Sequence, residues 1–547
     1  MDIHVELWKK LAEHPDFDLS TYLNKFMSLS SNLDQINFVY DELEKHSAFP
    51  QFHKDGKNDI TSIAVRHEGN KLYKKNLFSN AFNCYTVSIL AAKTKEVLAL
   101  AYANRSAALL KMGLYKESLT DIGRALVNGY ANKAKLTARQ DYCNMFKKPI
   151  LPAYEKVPKI RNVEQHPFIQ SAKNCVEIRR NERFGRHVVA TRDIKIGEVV
   201  VVEQPFAFKL LDQELVYCHE CLELCYCNIP CDHCTRSLYC STTCKDKAFS
   251  DYHKYECPLL QSIKGIPGSN ESVLLPLKLI FQNGQKFFTE VAPHPGVYRS
   301  DRLREIRDLQ THLDTTDPFT VFEKCALVAG IVHLVKNHSS FLESAFSEEH
   351  LKENLFKVML ICELNSVEIT EFTPKDNTDI FEKQQIGAGL YSFCSLFNHS
   401  CCNNVAKNFH GNTIVLRAVN SIKKGEQCFV NYSSNYLVDL KPFRQGYLTQ
   451  HKFFTCTCRA CEEDWPIFTP IDFQANIALH SCDCFNLLLP VVVITGGANV
   501  AYVKEKLKLF ISEMQKKEKK LPPSRNYSLT KYALLQCYNV LGNKRRV

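Results

Sequence analysis

Eight zinc-type ligands fall inside forty residues of this chain, and no other stretch so narrows what it can fold into. Cys218, Cys221, Cys231, Cys234, Cys240, Cys244, His253 and Cys257 read as C-x2-C, C-x2-C, C-x3-C and H-x3-C. A segment this short has little core of its own, so metal must staple it. The expected arrangement interleaves the pairs: Cys218, Cys221, Cys240 and Cys244 on one ion, and Cys231, Cys234, His253 and Cys257 on the other. Both sites would be closed and therefore structural. Disulfides are the competing explanation, but Asp2, Glu6, Lys9 and Lys10 within the first eleven residues do not read as a secretory signal. Cys225 and Cys227 stand outside the pattern.

The flanks of this module carry further motifs. Upstream, Gly185 to Ala190 and then Ile196-Gly197-Glu198 with Val199 to Pro205 form a β-rich run broken by a glycine turn. Downstream come Asn398-His399-Ser400-Cys401, then Gly425-Glu426-Gln427-Cys428-Phe429-Val430-Asn431-Tyr432, and then Cys456-Thr457-Cys458-Arg459-Ala460-Cys461. The spacing of the eight ligands resembles the MYND zinc module. The order of the flanking motifs resembles the SET domain of lysine methyltransferases, split by that module and closed by a cysteine-rich post-SET segment. The chain thus resembles the SET-MYND family, in the subclass with N-terminal helical repeats, over most of residues 60 to 465.

The resemblance implies an S-adenosylmethionine-dependent methyltransferase acting on a lysine of a protein substrate. It assigns Tyr432 to the methyl-transfer pore and Asn398 and His399 to cofactor binding in the loop beside it. It further implies cofactor contacts from Arg186 and Asn365, and an aromatic cover over the adenosine from Phe454. Cys401 with Cys456, Cys458 and Cys461 would complete a third zinc site tying the post-SET segment to the cofactor loop. Three positions depart from the family pattern. His187 replaces a glycine, Cys402-Asn403-Asn404 lacks the usual proline, and Lys452 stands where relatives often carry a tyrosine of the lysine channel. These departures keep a second reading open: a catalytically weak or inactive adaptor that binds peptides through its MYND and repeat modules.

Two N-terminal stretches repeat one pattern. Phe78 to Tyr115 and Ala81 to Ser118 are both 37 residues apart, a tetratricopeptide period with a few residues of extra loop. Arg66 and Asn70 share one predicted helix, Asn104 opens the next repeat's first helix, and Lys135 and Arg139 share a third. These five resemble the dicarboxylate clamp of co-chaperone repeats, which grips the acidic C-terminal tail of cytosolic heat-shock chaperones. The reading is therefore a multidomain α+β chain: a helical cap (1–60), a TPR-like solenoid (61–148), a linker (149–175) and the SET N-terminal part (176–217). The MYND module (218–257), a helical insert (258–370), the SET core (371–437), the post-SET segment (438–465) and a helical C-terminal region (466–547) follow.

At 547 residues the chain has length for several cores, and 69 basic against 59 acidic residues give a net charge of only +10. That is no nucleic-acid signature, and the lysines from Lys504 to Lys520 read as a solvated helix face. The longest apolar run, Leu487 to Ile494, contains Pro490 and is too short to span a bilayer. Of the 24 cysteines, 13 lie outside the three predicted zinc sites, which favours a reducing compartment. A monomer of cytoplasm and nucleus is expected.

Overall fold

The computed structural model describes residues 2–13, 17–146, 156–211, 215–267, 269–284, 298, 303–343, 347–374, 381–432, 435–467, 500–517 and 523–543. The apolar run at 487–494, the C-terminal Lys544-Arg545-Arg546 and part of the 149–175 linker lie outside them.

Helices α1 (Ile3–Ala12), α2 (Leu19–Met27) and α3 (Asn32–Lys45) each bury one apolar stripe. They were expected to cap the repeats. Instead they dock on a helix of the insert, Pro318–His338, which buries apolar residues around most of its circumference and so needs more than one partner. Trp8 stacks on Phe322 with ring centroids 4.5 Å apart, and Phe26 meets the same ring edge-on. Pro318–His338 is long and apolar enough to cross a membrane by composition, which the sequence reading overlooked; here it forms the centre of a packed helical core.

The repeats are built as antiparallel hairpins, α4 (Asp59–Lys74) with α5 (Phe78–Ala91) and α6 (Lys95–Lys111) with α7 (Tyr115–Val127), followed by α8 (Lys133–Met145). The 37-residue offset is visible in them: Phe78 and Tyr115 open α5 and α7, while Ala81 and Ser118 are fully buried between helices. A Cβ at Gly69 would stand 2.7 Å from the Tyr85 ring, so this close crossing of α4 and α5 excludes any larger residue. Asn132 caps α8 by accepting from the Lys135 amide.

The β core consists of small antiparallel sheets. Strand β1 (Val176–Asn181) pairs with β2 (Gly185–Ala190). β3 (Val199–Glu203), β10 (Thr413–Ala418) and β9 (Val405–His410) form a second sheet, and β4 (Ala207–Leu210), β8 (Phe381–Leu390) and β7 (Ser366–Pro374) a third. Gly197, at φ +87°, makes the turn before β3, and Gly411, at φ +60°, the turn joining β9 to β10. Between β4 and β7 lie a small two-stranded module, β5 (Ile229–Pro230) with β6 (Leu238–Tyr239), and the insert helices Ser269–Asn283, Pro318–His338 and Glu348–Asn365. The insert turns to strand at Ser366, earlier than the expected boundary at 370.

Two contacts lock the parts together. Arg105 and Asp121 form a fully buried ion pair at 2.6 Å, and the same guanidinium donates to the Asn228 carbonyl of the cysteine-rich module at 2.9 Å. At the other end, the hairpin of Val500–Lys517 and Arg525–Leu541 packs against β7 and β9, with the Phe372 amide donating to Asn543 O at 2.9 Å. On that hairpin Lys504, Lys508 and Lys516 are exposed, as a solvated face should be.

Candidate active site and thiolate clusters

Three ligand clusters form, each with its ligand atoms within 4.8 Å of one another: Cys218, Cys221, Cys240 and Cys244; Cys231, Cys234, His253 and Cys257; and Cys401, Cys456, Cys458 and Cys461. The interleaving expected from spacing is what the chain adopts. Zinc–sulfur bonds of ~2.3 Å in a tetrahedron place sulfurs about 3.8 Å apart. The observed separations match that figure: 3.7 Å for Cys221 to Cys240, 4.0 Å for Cys231 to Cys257, and 3.5 Å for Cys401 to Cys461. His253 turns Nε2 to Cys234 and Cys231, at 3.5 and 3.3 Å, while its Nδ1 meets the Glu256 carboxylate at 2.9 Å. A carboxylate behind a ligating imidazole fixes its orientation, so the donor set fits zinc beyond the ligands alone. The third cluster has its own support, since the buried Arg444 guanidinium lies 3.7 Å from Cys461 Sγ. Four thiolates around one divalent ion leave net negative charge, and a buried cation offsets it. Nothing in the sequence pattern pointed to Arg444.

The third cluster forms one wall of a cavity of about 1750 Å³ bounded by β2, β7, β8, β9, the 394–400 segment and the C-terminal hairpin. Arg186, Asn365, Asn398, His399, Tyr432 and Phe454 all line it, although they come from positions spread over 269 residues. The segment Asn398–Ser400 runs parallel to Val430: the Val430 amide donates to Asn398 O, and the Ser400 amide to Val430 O. This pairing sets His399 against Tyr432. The Tyr432 amide donates to His399 Nδ1 at 3.0 Å, and the phenol donates to the Phe397 carbonyl at 3.0 Å. Phe454 stands edge-on to both rings.

Burial sets the protonation of this pair. It pushes the His399 imidazole down to about 4 and raises the Tyr432 phenol well above its usual value, so both are neutral at physiological pH. Behind them, the carboxylate of buried Glu203 accepts from the Phe393 and Cys394 amides, each at 2.8 Å, and so anchors the loop that leads to Asn398. Desolvation nevertheless raises the Glu203 carboxyl to about 7. Sequence reasoning missed Glu203, which looks like the ordinary end of a valine-rich strand.

Arg186 reaches the segment 303–308, donating to Asp308 O at 2.7 Å beside the Glu305 carboxylate. Asn365 ends its helix with Nδ2 on Ile361 O and Gln310 O. The three departures have separate explanations. His187, a residue of β2, is buried and is not among the residues that line the cavity. Asn404 cross-links its loop to the neighbouring segment, accepting from the Phe429 amide and donating to Gln427 O. Lys452 does line the cavity, and its ammonium donates to Leu364 O at 2.7 Å.

In the repeats, Asn104 Nδ2 donates to Asn70 Oδ1 at 2.8 Å, and the Tyr85 hydroxyl donates to the same oxygen at 3.0 Å. Asn104 lies in the middle of α6 and does not open it, because Thr94 caps that helix ten residues earlier. Arg139 turns back on α6, donating to Ala103 O and Ser106 Oγ, so its charge is engaged in helix packing. Arg66 is half-buried one helical turn before Asn70 on α4, and Lys135 is exposed.

Comparison with known proteins agrees with this construction. Residues 185–433 match the SET domain model. Protein-lysine N-methyltransferase SMYD4 of Pongo abelii is 22% identical, over 85% of this chain and 75% of its own, and that of Danio rerio 23% identical, over 85% and 74%. N-lysine methyltransferase SMYD2-A of Xenopus laevis is 28% identical over 51% of this chain and 60% of its own. A crystal structure of the SET domain of LSMT bound to lysine and AdoHcy superposes with a TM-score of 0.23 at 12% identity, covering 68% of this chain and 86% of that one. By the match over residues 185–433, the β core with its cavity is a SET domain. The chain as a whole is similar to protein-lysine methyltransferases of the SET-MYND family.

Proposed function

We propose that the protein transfers the methyl group of S-adenosylmethionine to a lysine side chain of a protein substrate. The observation that carries this reading is the convergence of Asn398, His399, Tyr432 and Phe454 on one cavity wall braced by the third thiolate cluster. When bound, S-adenosylmethionine supplies an electrophilic sulfonium methyl. Phe454 offers an aromatic face, Asn398 and Arg186 offer polar donors, and the cavity has room for a nucleoside and its side chain. Tyr432, neutral and held by Phe397 O, directs oxygen lone pairs at the reacting centre without adding charge. Backbone carbonyls around it do the same, and closure of the site excludes water. The three zinc ions would be structural, holding the module and the post-SET wall in place.

Lys452 supports the rival reading, in which the SET fold is vestigial and the chain acts as an adaptor, because it brings a cation to the cavity wall. Calorimetric titration of the full chain with S-adenosylmethionine separates the two: saturable one-to-one binding is the expected result, and its absence favours the adaptor.

For the repeats we propose capture of acidic C-terminal tails, of the kind heat-shock chaperones carry, with Arg66, Lys135 and the Asn70–Asn104 amide pair as the grip. Support comes from the spacing of these residues and from the two amides already meeting at 2.8 Å. A free-acid tail peptide should bind tenfold or more tighter than its amidated form by fluorescence anisotropy, since one charge-assisted contact is lost. Equal affinities would end this assignment. Peptide contacts through the MYND module, and residence in cytoplasm and nucleus as a monomer, remain part of the proposal.

A further inference from the structure

We propose that the acceptor end of the cavity selects protein segments carrying carboxylates beside the target lysine, through a cationic wall formed by Lys383, Lys407 and Lys452. This rests on the methyltransferase reading above and names its substrate class.

The three lysines arrive from separate elements: Lys383 from β8, Lys407 from β9 and Lys452 from the end of helix Lys441–Lys452, all on the cavity that Tyr432 also lines. Lys407 is within electrostatic reach of Lys383, of Lys452 and of His399. Cys394 interacts with both Lys407 and Tyr432, which places the cationic wall close to the reacting end. Among the described residues, neither Lys383 nor Lys407 has a hydrogen-bond or salt-bridge partner, and Lys452 is satisfied only by a carbonyl. Two carboxylates face them, Glu363 and Glu368, and Glu363 already pairs with Lys324. Among the described residues, the three ammonium groups therefore share one uncommitted carboxylate, Glu368. Burial lowers the Lys407 and Lys452 ammonium groups, which makes an incoming negative charge more favourable there, while Lys383 stands exposed at the edge of the wall.

A segment with arginine or lysine on either side of its acceptor would add like charge to this wall. One with aspartate or glutamate would supply the missing counter-charge, and like-charge exclusion of the wrong partner is an effective route to specificity. The same field favours the neutral acceptor amine, which must release one proton to solvent before its lone pair forms the N–C bond as the S–C bond breaks.

The test uses the full chain with S-adenosylhomocysteine present and fluorescein-labelled, C-terminally amidated peptides that each contain one lysine flanked by glutamate, alanine or arginine. Anisotropy should show the glutamate-flanked peptide binding tenfold or more tighter than the arginine-flanked one. The gap should narrow in Lys407→Met and reverse in Lys407→Glu, with Lys383→Met as a second variant should either fail to fold. Equal affinities in the parent protein, or a preference unchanged in the Lys407 and Lys383 variants, would overturn the proposal. Methyl transfer from S-adenosylmethionine to the same peptides tells the two readings apart. A charge ranking in binding with no transfer to any peptide removes the enzymatic reading and leaves the selective wall. Transfer indifferent to flanking charge removes the wall and leaves the enzyme.

Discussion

Glu203 shows how a single buried group can brace the site without touching its chemistry. Its carboxylate holds the Phe393 and Cys394 amides, yet burial raises its pKa from the ordinary 4.5 to about 7. The folded state thus binds this proton more tightly than the unfolded state. Its contribution is most favourable below pH 4.5, declines as pH rises from 4.5 to 7, and is level above that. Glu203→Gln removes the titration, so the parent's stability relative to the variant should fall by about 3 kcal/mol across that window. Denaturant midpoints measured at pH 5, 6 and 7 check this, and a constant difference would contradict the assignment. At this scale the sequence was uneven. Ligand types at fixed spacing identify themselves, because the chemistry of zinc demands them locally. Glu203, Lys407 and Arg444 do not, because strand alternation and helix periodicity tell which face a residue occupies and not what waits there.

Among the elements, the clearest joint is that between the repeats and the cysteine-rich module, where Arg105 bonds Asp121 and then the Asn228 carbonyl. Removing one member leaves a buried charge alone, a loss of about 3 to 5 kcal/mol. Asp121→Ala should therefore destabilise α6, α7 and the module together, seen as faster hydrogen exchange in both. Exchange confined to α7 would show that the ion pair serves the repeats alone. The hairpin offset of 37 residues was legible because Phe78 and Tyr115 repeat the same packing position. The destination of α1 to α3 was not: an amphipathic stripe declares that it needs a partner, and Pro318–His338 is distant in sequence.

For the whole molecule, the third thiolate cluster and the cavity are coupled through Cys401, which lies two residues beyond His399, with His399 Nε2 at 3.3 Å from its sulfur. Atomic absorption should find close to three zinc ions per chain, and chelation should weaken S-adenosylmethionine binding along with loss of structure. Two ions with full cofactor affinity would sever the third cluster from the site. The order of motifs along the chain made this architecture readable, whereas the cationic acceptor end became visible only once β8, β9 and Lys452 were brought together.

The central claim is that Tyr432 acts on the methyl in transit. It is tested most directly by following radiolabelled methyl transfer from S-adenosylmethionine to lysine-containing acidic peptides with the parent protein and Tyr432→Phe, alongside calorimetric cofactor binding. In the proposed role the phenol contributes to the transition state and little to the ground state, so the variant should bind cofactor like the parent and transfer at least a hundredfold more slowly, on the order of 3 kcal/mol. Equal transfer by the two proteins would contradict it.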